Sequence, residues 1–398
     1  MAVLGDYIKV KHGYAFKGEF FSTDDNGVVL ITPGNFAIGG GFKQDKCKFF
    51  TSTFSGDYVL HEDDLIVTMT DLSKNIDTLG YGALIPNSNR IYLHNQRIGL
   101  VQFLSDKLDK HYLYWFMRTD FYQKTIAGTS SGETVHHTSP DRICAVEISP
   151  PDIVEQTKIA NILDNIENKI ANNHRINKNL LQQAQALFIS WFVDYEPFGG
   201  KMPDNWENMS VYELADYING AAFKKNEYAD TGLPIIKIAE LKNGITDSTQ
   251  RCGVKKDEKY YIDDRDILFS WSGNPDTSID TFIWSMGRAI LNQHTFRVVS
   301  KYDAPAFTFF LLKYLKPQFT HIASNKQTTG LGHVTVADLK RLQFRANASV
   351  IAEFNALVMP MFDLIYSKYK EIQQLSNLRD TLLPKLMSGE IDVSNLDL

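Results

Sequence analysis

Cysteine is scarce in this 398-residue chain: Cys47, Cys144 and Cys252 stand alone and far apart. That fits neither a disulfide framework nor a zinc site, and it suits a reducing cytoplasm. No run of about 18 apolar residues occurs, which argues against a membrane span. Met1 to Asp6 offers neither the basic nor the apolar region of a signal peptide. There is no Gly-x-x-x-x-Gly-Lys-Ser/Thr loop to cradle a nucleotide phosphate, and Gly39-Gly40-Gly41 has neither the spacing nor the flanking helix for one. A methyltransferase acting on exocyclic amines needs an Asn-Pro-Pro-aromatic pocket. Asn274-Pro275-Asp276 lacks the second proline and the aromatic, and reads as a turn. A nuclease core built from Pro203-Asp204 and Glu240-Leu241-Lys242 is short and degenerate, with Asn35 where Glu240 would align in a first copy. His136-His137 has no carboxylate or cysteine at ligand spacing and reads as a polar loop. No catalytic residue and no metal ligand is assigned.

Excess positive charge is missing too. The chain carries a net charge of −6. Only residues 201–345 are positive, with 19 basic against 17 acidic groups. Phosphate neutralisation supplies most non-specific affinity for nucleic acid, so strong DNA binding by this chain alone is not expected. Either partners bring basic surface, or basic residues cluster on one face.

What is present is a repeat. Leu4-Gly5-Asp6-Tyr7-Ile8 recurs as Leu214-Ala215-Asp216-Tyr217-Ile218, and Gly13-Tyr14-Ala15-Phe16-Lys17 as Gly220-Ala221-Ala222-Phe223-Lys224. Asp64-Leu65-Ile66 recurs as Asp266-Ile267-Leu268, and Asn95-Gln96 as Asn292-Gln293. His136, Thr138 and Asp141 match His333, Thr335 and Asp338. The offset drifts steadily from 210 to 197, as in a duplicated unit with small deletions. β-branched and aromatic runs at Val28 to Thr32, Leu65 to Thr70, Ile235 to Ile238 and Ile267 to Ser272 predict strands. Tyr112 to Met117 and Phe307 to Leu312 predict buried helices, so each copy is mixed α and β.

A helical pattern follows each copy. Apolar residues at Ile159, Leu163, Ile166, Ile170, Leu180, Ala184, Leu187 and Trp191 alternate steps of three and four when Asn173 and Asn177 take the two intervening places. That is a heptad seam. Neither proline nor glycine interrupts Ile153 to Asp194, so the helix reaches about 40 residues, or roughly 60 Å at 1.5 Å per residue. The second pattern uses Met361, Ile365, Ile372, Leu375, Leu382 and Leu386, with Lys368 and Arg379 in the intervening places. Pro360 and Pro384 predict a kink or break near its start and near its end. Two long helices in one chain most simply pair with each other, and a leftover apolar face suits a partner's helices. Ile159, Leu163, Ile166, Ile170, Leu180, Leu187, Trp191, Leu375, Leu382 and Leu386 are the partner-binding candidates. The expected organisation is 1–150 and 201–345 as globular domains, with 151–200 and 346–398 as helical spacers.

These residues bring a family into view. Gly-x-Ala-Phe-Lys opening each half resembles the start of target-recognition domains in Type I restriction–modification specificity subunits. So do Asp63-Asp64-Leu65-Ile66-Val67-Thr68 and Asp264-Arg265-Asp266-Ile267-Leu268-Phe269-Ser270. Pro150-Pro151-Asp152-Ile153-Val154-Glu155-Gln156 is similar to that family's lead into its first conserved helix, and Leu187 to Phe192 to that helix's end. Leu378-Arg379-Asp380-Thr381-Leu382-Leu383-Pro384-Lys385-Leu386-Met387-Ser388-Gly389-Glu390-Ile391 is the most specific match. The resemblance implies an α+β fold: two similar mixed domains and two long helices in an antiparallel coiled coil with an internal pseudo-two-fold. It implies a non-catalytic reader of double-stranded DNA that binds two adenine methyltransferase subunits, joined by two motor–nuclease subunits where the full restriction enzyme forms. S-adenosylmethionine would sit on the methyltransferases, and ATP and magnesium on the motor–nuclease. The second helix starts differently, as Asn347-Ala348-Ser349-Val350-Ile351-Ala352-Glu353-Phe354, so docking there is expected to differ.

For DNA contacts, Thr68 and Thr70 share a strand face, as do Ser270 and Ser272, and their hydroxyls suit phosphate or base edges. Edge-strand solvation is the alternative. Asn95, Gln96, Asn292 and Gln293 offer bidentate amides for adenine, and Arg97 suits guanine, with His294 at the matching place. A structural turn is the alternative there. Lys17, Lys224 and Lys225 suit phosphate. The polar stretches Gly128-Thr129-Ser130-Ser131-Gly132 and Lys326-Gln327-Thr328-Thr329-Gly330 read as mobile loops able to enter a groove. Asn35, Lys74, His136, Lys237 and His333 complete the candidates. Two rivals stand beside this reading: a scaffold whose duplicated domains bind protein, and a single-chain methyltransferase or nuclease, against which the missing motifs speak.

Overall fold

The computed structural model describes residues 2–396 apart from Lys46, Leu72, Lys74, Asn75, Glu133, Thr134, Thr328, Thr329 and Gly330. Lys74 and Thr328, both DNA-contact candidates, therefore lie outside the described residues. Two compact units divide the chain, 1–167 with 377–398 and 168–376. Each unit holds one globular domain together with a length of both long helices. Spatial compactness thus cuts across the linear order of domain, helix, domain, helix, because each helix is longer than one domain needs.

The duplication is complete at the level of topology. The first domain has a four-stranded antiparallel sheet in the order Ile8–His12, Ile98–Phe103, Leu65–Thr68, Gly82–Leu84. The second orders Ala215–Asn219, Thr295–Ser300, Ile267–Ser270 and Asp280–Ile283 the same way. Each domain adds a five-stranded sheet with one parallel pair, Val28–Leu30 beside Ile91–Leu93 in the first and Leu233–Ile236 beside Ala289–Leu291 in the second. In each, a two-stranded ribbon ties the domain's two ends together, Ala2–Val3 to Glu147–Ile148 and Glu207–Ser210 to Gln343–Ala346. A last ribbon corrects the repeat alignment by one residue. His137 opposes Thr70 while His333 opposes Ser272, so His137, not His136, is the counterpart of His333. Backbone pairing decides this: a slip of one residue turns a side chain to the other face.

Lys110–Phe116 and Pro305–Tyr314 form the expected buried helices. Three other expectations change. Ile238 leaves its strand and opens the short helix Ile238–Asn243. Asn274-Pro275-Asp276 is not a free turn: Asn274 Oδ1 accepts from the N–H groups of Asp276 and Thr277, capping the helix Pro275–Ser278. The helix Asp120–Thr129 takes in Gly128 and Thr129, the first part of the stretch expected as a mobile loop.

The first long helix runs Ile153–Phe192. Asp152 starts it, its Oδ1 accepting from the N–H groups of Val154 and Glu155 at 2.9 Å each. The second runs Ala348–Met387, beginning twelve residues before Pro360 and continuing as one helix through Pro360 and Pro384. Asn347 Oδ1 caps it, accepting from Val350 N–H at 2.9 Å. Of the kink or break expected, the break is absent: a mid-helix proline costs about 3 kcal/mol, and burial outweighs it. Phe354, Val358, Phe362 and Ile365 around Pro360 are buried, each worth about 1.5–3 kcal/mol. An 18-residue window of this helix reaches a mean hydropathy of 1.5, long and apolar enough to cross a membrane by composition. Those same four residues face the core of the second domain.

The helices pair antiparallel in both units. In the second, Phe188 meets Phe354 at 5.6 Å between ring centroids and Lys169 pairs with Glu371 at 3.6 Å. In the first, Arg379 reaches Glu167 at 2.8 Å. Asn173 and Asn177 are buried on the seam as expected. Beyond them the seam changes step. Ala184, Phe188 and Phe192 are the fully buried positions, whereas Leu187 and Trp191 are half-buried. A step of four replaces the alternation because the helix has joined the domain core, where Phe188 and Phe192 stack among Phe307, Phe344 and Phe354.

Candidate nucleic-acid interface

The two motifs most clearly repeated in the sequence, Gly-x-Ala-Phe-Lys and Asn-Gln, meet in space. Tyr14 N–H donates to His94 O and Gln96 N–H to Tyr14 O, both at 2.9 Å. In the second domain Ala221 N–H donates to Leu291 O at 2.8 Å and Gln293 N–H to Ala221 O at 2.9 Å. The preceding glycines are required by this approach. A Cβ on Gly13 would stand 2.2 Å from Asn95 O, and one on Gly220 2.3 Å from Asn292 O. Asn95 and Asn292 are buried, and each side-chain oxygen accepts from the backbone N–H two residues on, of Arg97 and His294, at 3.3 Å. These asparagines therefore hold the turn. They throw the next two side chains outward: Gln96 with Arg97, and Gln293 with His294, are exposed.

In the first domain this turn forms one wall of an open hollow of about 510 Å³, with His12, Gly13, Met69, Thr70, His137 and Thr138 completing it. No carboxylate lines it. His137 Nδ1 shares a hydrogen bond with Thr70 Oγ1 at 3.1 Å. Arg142 Nη1 donates to Ser131 Oγ at 3.2 Å and to His137 O at 3.3 Å, fixing the opposite wall. The neighbouring Asp71 is sequestered. Burial alone would push its carboxyl up, but bonds from Ser73 and Thr78, backbone and side chain, hold it below the usual aspartate range. At the place of Met69 the second domain puts Trp271, whose indole N–H donates to Asn219 Oδ1 at 3.3 Å and whose ring lies 5.8 Å from that of His294.

Several candidates are drawn inward. Asn35 is fully buried, and its amide is spent on Thr32 and on Lys43 O. Thr68 is buried and donates to Thr70 O at 3.0 Å, and Ser270 is buried at the matching place. The strand face that holds these hydroxyls is covered, because both sheets of each domain pack around it; their expected contact with DNA is corrected on that ground. Thr70 is almost fully buried, while Ser272 and His333 are half-buried. Thr129 and Ser130 turn their hydroxyls back to Ile126 O and Ala127 O. Lys237 is tied to Gln250 and lies over the Tyr228 ring, and Lys326 is paired with the buried Asp338. Lys17, Lys224, Lys225 and Gln327 are exposed, Ser131 is exposed on the wall described, and His136 is half-buried.

The hollow also contains residues that the sequence did not single out for it: His12, Met69 and His137. His12 directly precedes the repeated glycine, which was the available signal. On the long helices, the partner-binding candidates Ile159, Leu163, Ile170 and Leu386 are buried within the chain, and Ile166, Leu180, Leu187, Trp191, Leu375 and Leu382 are half-buried. The exposed apolar residues are instead Ile153, Val154, Ile189, Leu357, Leu364 and Leu378. Among the described residues no group of three or more His, Cys, Asp or Glu is placed to hold a metal ion.

Comparison with known proteins agrees with this duplicated geometry. The family model described as Type I restriction modification DNA specificity domain matches residues 2–182 and 203–345. The chain is similar to the Type I restriction enzyme MjaIX specificity subunit of Methanocaldococcus jannaschii, at 25% identity over 73% of this chain and 71% of that one. It is also similar to the HindI specificity subunit of Haemophilus influenzae, at 23% identity over 69% and 75%. Its fold resembles the crystal structure of a Type I restriction–modification S subunit from M. genitalium, with a TM-score of 0.58 and 15% identity over 96% of this chain and 94% of that one. With the family model matching most of its length, once per domain, the chain belongs to the specificity subunits of Type I restriction–modification systems.

Proposed function

We propose that each domain of this chain reads one half of a two-part DNA target, and that the chain brings adenine methyltransferase subunits, and motor–nuclease subunits where they are present, to that target. One observation carries the reading: the same glycine–asparagine turn is built twice and presents a different outward pair each time, Gln96-Arg97 and Gln293-His294. A repeated mount with a changed tip is what two different half-sites require. A glutamine can pair bidentately with adenine N6 and N7, and Arg97 with guanine O6 and N7. Lys17, Lys224 and Lys225, exposed beside each turn, meet phosphate and set register without reading sequence. The methyl donor S-adenosylmethionine belongs to the methyltransferase partners, and ATP and magnesium to the motor–nuclease.

The test maps adenine methylation across the source genome by long-read sequencing with and without this gene. Loss of a two-part motif with a fixed gap supports the reading. An unchanged pattern with an active methyltransferase present favours the protein-binding scaffold, which also predicts no salt-dependent DNA binding in any assembly. We propose further that helix length sets the gap. Four residues inserted near Asn177, matched by four near Ile365 so that the antiparallel seam stays in step, lengthen it; an unchanged gap sinks this part.

A further inference from the structure

A second hollow adjoins the first. Gly13 lines the hollow that holds Gln96 and Arg97, and the next residue, Tyr14, lines another of about 390 Å³. Its walls are aromatic: Tyr14, Phe16, Phe50, Phe54 and Tyr58, with Lys17 at the rim. The rings brace one another, with centroids 5.1 Å apart for Tyr14 and Phe16, 5.0 Å for Tyr14 and Tyr58, and 4.9 Å for Phe16 and Phe50. Tyr14 nevertheless stays 50% exposed, and no carboxylate lines the hollow. Serine and threonine hydroxyls from 52–55 stand among the rings.

The second domain closes this space. Register places Lys256 where Phe54 stands, and Glu227 where Phe20 stands. The Lys256 ammonium lies 4.9 Å over the Phe223 ring and bonds to Glu227 at 2.6 Å. Ala221 replaces Tyr14. One copy of the duplicated fold therefore fills the position with an ion pair, while the other keeps it open and flat-walled, its nearest carboxylates lying outside the lining, Glu19 3.8 Å from Lys17 and Asp57 accepting from Ser55 Oγ at 3.1 Å.

We propose that the open hollow of the first domain is a site for one unstacked nucleobase of DNA, taken from the strand that lies across Gln96 and Arg97. The proposal rests on the reading of this chain as a DNA reader. Stacked aromatic faces accept any base, a rim cation meets the flanking phosphate, and hydroxyls meet the base edge. Continuity with the reading turn places DNA next to the hollow, and the exposed Lys17, loosely paired with Glu19 at 3.8 Å, can exchange that partner for a phosphate.

The test uses the full chain and a single-stranded oligodeoxynucleotide of mixed sequence carrying one 2-aminopurine, with a duplex of the same length titrated in parallel. Binding is expected to quench the 2-aminopurine. Tyr14→Ala, and Phe54→Lys, which copies the second domain's plug, should each weaken single-strand binding by roughly tenfold or more. Tyr14→Phe should retain it. Thermal melting checks folding; if Phe54→Lys does not fold, Tyr14→Ala alone decides. Unchanged quenching and affinity in folded variants overturn the proposal. So does an altered assembly with partner proteins without altered quenching, which would make the hollow a protein-docking site. Duplex binding without single-strand binding overturns this proposal alone; loss of both in the assembled complex overturns the DNA reading as well.

Discussion

The two domains share every sheet and ribbon, and each seats the long helices in an apolar core, but they add different side chains to that core. In the first domain Ile159, Ala160, Leu163 and Leu386 of the helices are buried in the domain core, and a polar cluster is added to them. The Trp115 indole N–H donates to Asp164 Oδ1 at 2.7 Å, and His111 Nδ1 lies 2.6 Å from Asp164 Oδ2. Gln156 is almost fully buried; it accepts from Asp109 N–H at 2.8 Å and donates to Lys107 O and Pro151 O. In the second domain the addition is aromatic: Phe188, Phe192 and Phe354 merge with Phe307 and Phe344 into one core, Asn355 Oδ1 accepts from Ala306 and Phe307 N–H, and nearer the surface Asp363 pairs with Arg265 and Lys370 with Asp264. What both keep is a small set of backbone-directing residues. Asp64 and Asp266 each accept from the N–H three residues before, at 2.8 and 2.9 Å, across a turn whose preceding residue is left-handed, φ 65° at Asp63 and φ 79° at Arg265. A duplicated fold thus persists through its turns, while interior packing and exposed tips are free to diverge.

The largest expected effect attacks the aromatic cluster of the second domain. Phe188→Ala should cost about 3–5 kcal/mol, as for a buried phenylalanine in a tight core. Denaturant unfolding, followed by hydrogen exchange, should place the loss in the second domain; an equal loss of protection in both domains would show the two to be one cooperative block. Next come the outward pairs. Arg97→Ala should remove about 1–3 kcal/mol of discrimination in one half of the target only, and His294→Ala should alter the other half only. Methylome mapping of each variant checks this, and relaxation of both halves by either one would break the assignment of one half-site per domain.

A smaller effect separates the two domains by pH. Hydrogen bonding to Asp164 raises the His111 pKa above its ordinary value despite burial, with Asp63 assisting. The folded state therefore holds that proton more tightly than the unfolded chain does. The contribution is complete below an unfolded pKa near 6.5 and is lost as pH rises through the folded value. Exchange protection of Lys110–Phe116 should fall over that window, that of Pro305–Tyr314 should not, and His111→Ala should abolish the difference. The smallest effect is at Lys224: replacement by alanine should weaken DNA binding alike on all sequences and reduce the salt slope by about one. A changed preferred sequence would instead make Lys224 a base reader.

Periodicity and punctuation were readable where physics is local. An uninterrupted heptad pattern is sufficient for a helix, so Ile153–Phe192 follows from its residues, and the drifting repeat announces two similar mixed domains. The break allowed for at proline does not occur, because proline's cost is local while the burial that outweighs it comes from residues distant in the chain. The candidate interface was half legible. Asn-Gln and Gly-x-Ala-Phe-Lys stood out, but which amide is spent on the turn and which faces outward depends on a hydrogen bond, from Arg97 N–H to Asn95, that only the folded turn forms. The hydroxyls of Thr68 and Ser270 looked available because alternation along a strand tells one face from the other but does not say that both are covered. The duplication, the long helices and the residues that mount the turns were already written in the order of residues, since each depends on spacing or on a backbone conformation few residues adopt. Tertiary structure alone decided which polar groups remain free, where the helical seam changes step, and that an aromatic hollow open in one domain is closed by an ion pair in the other. Those outcomes depend on which non-neighbours arrive at each surface, and spacing along the chain carries no record of that.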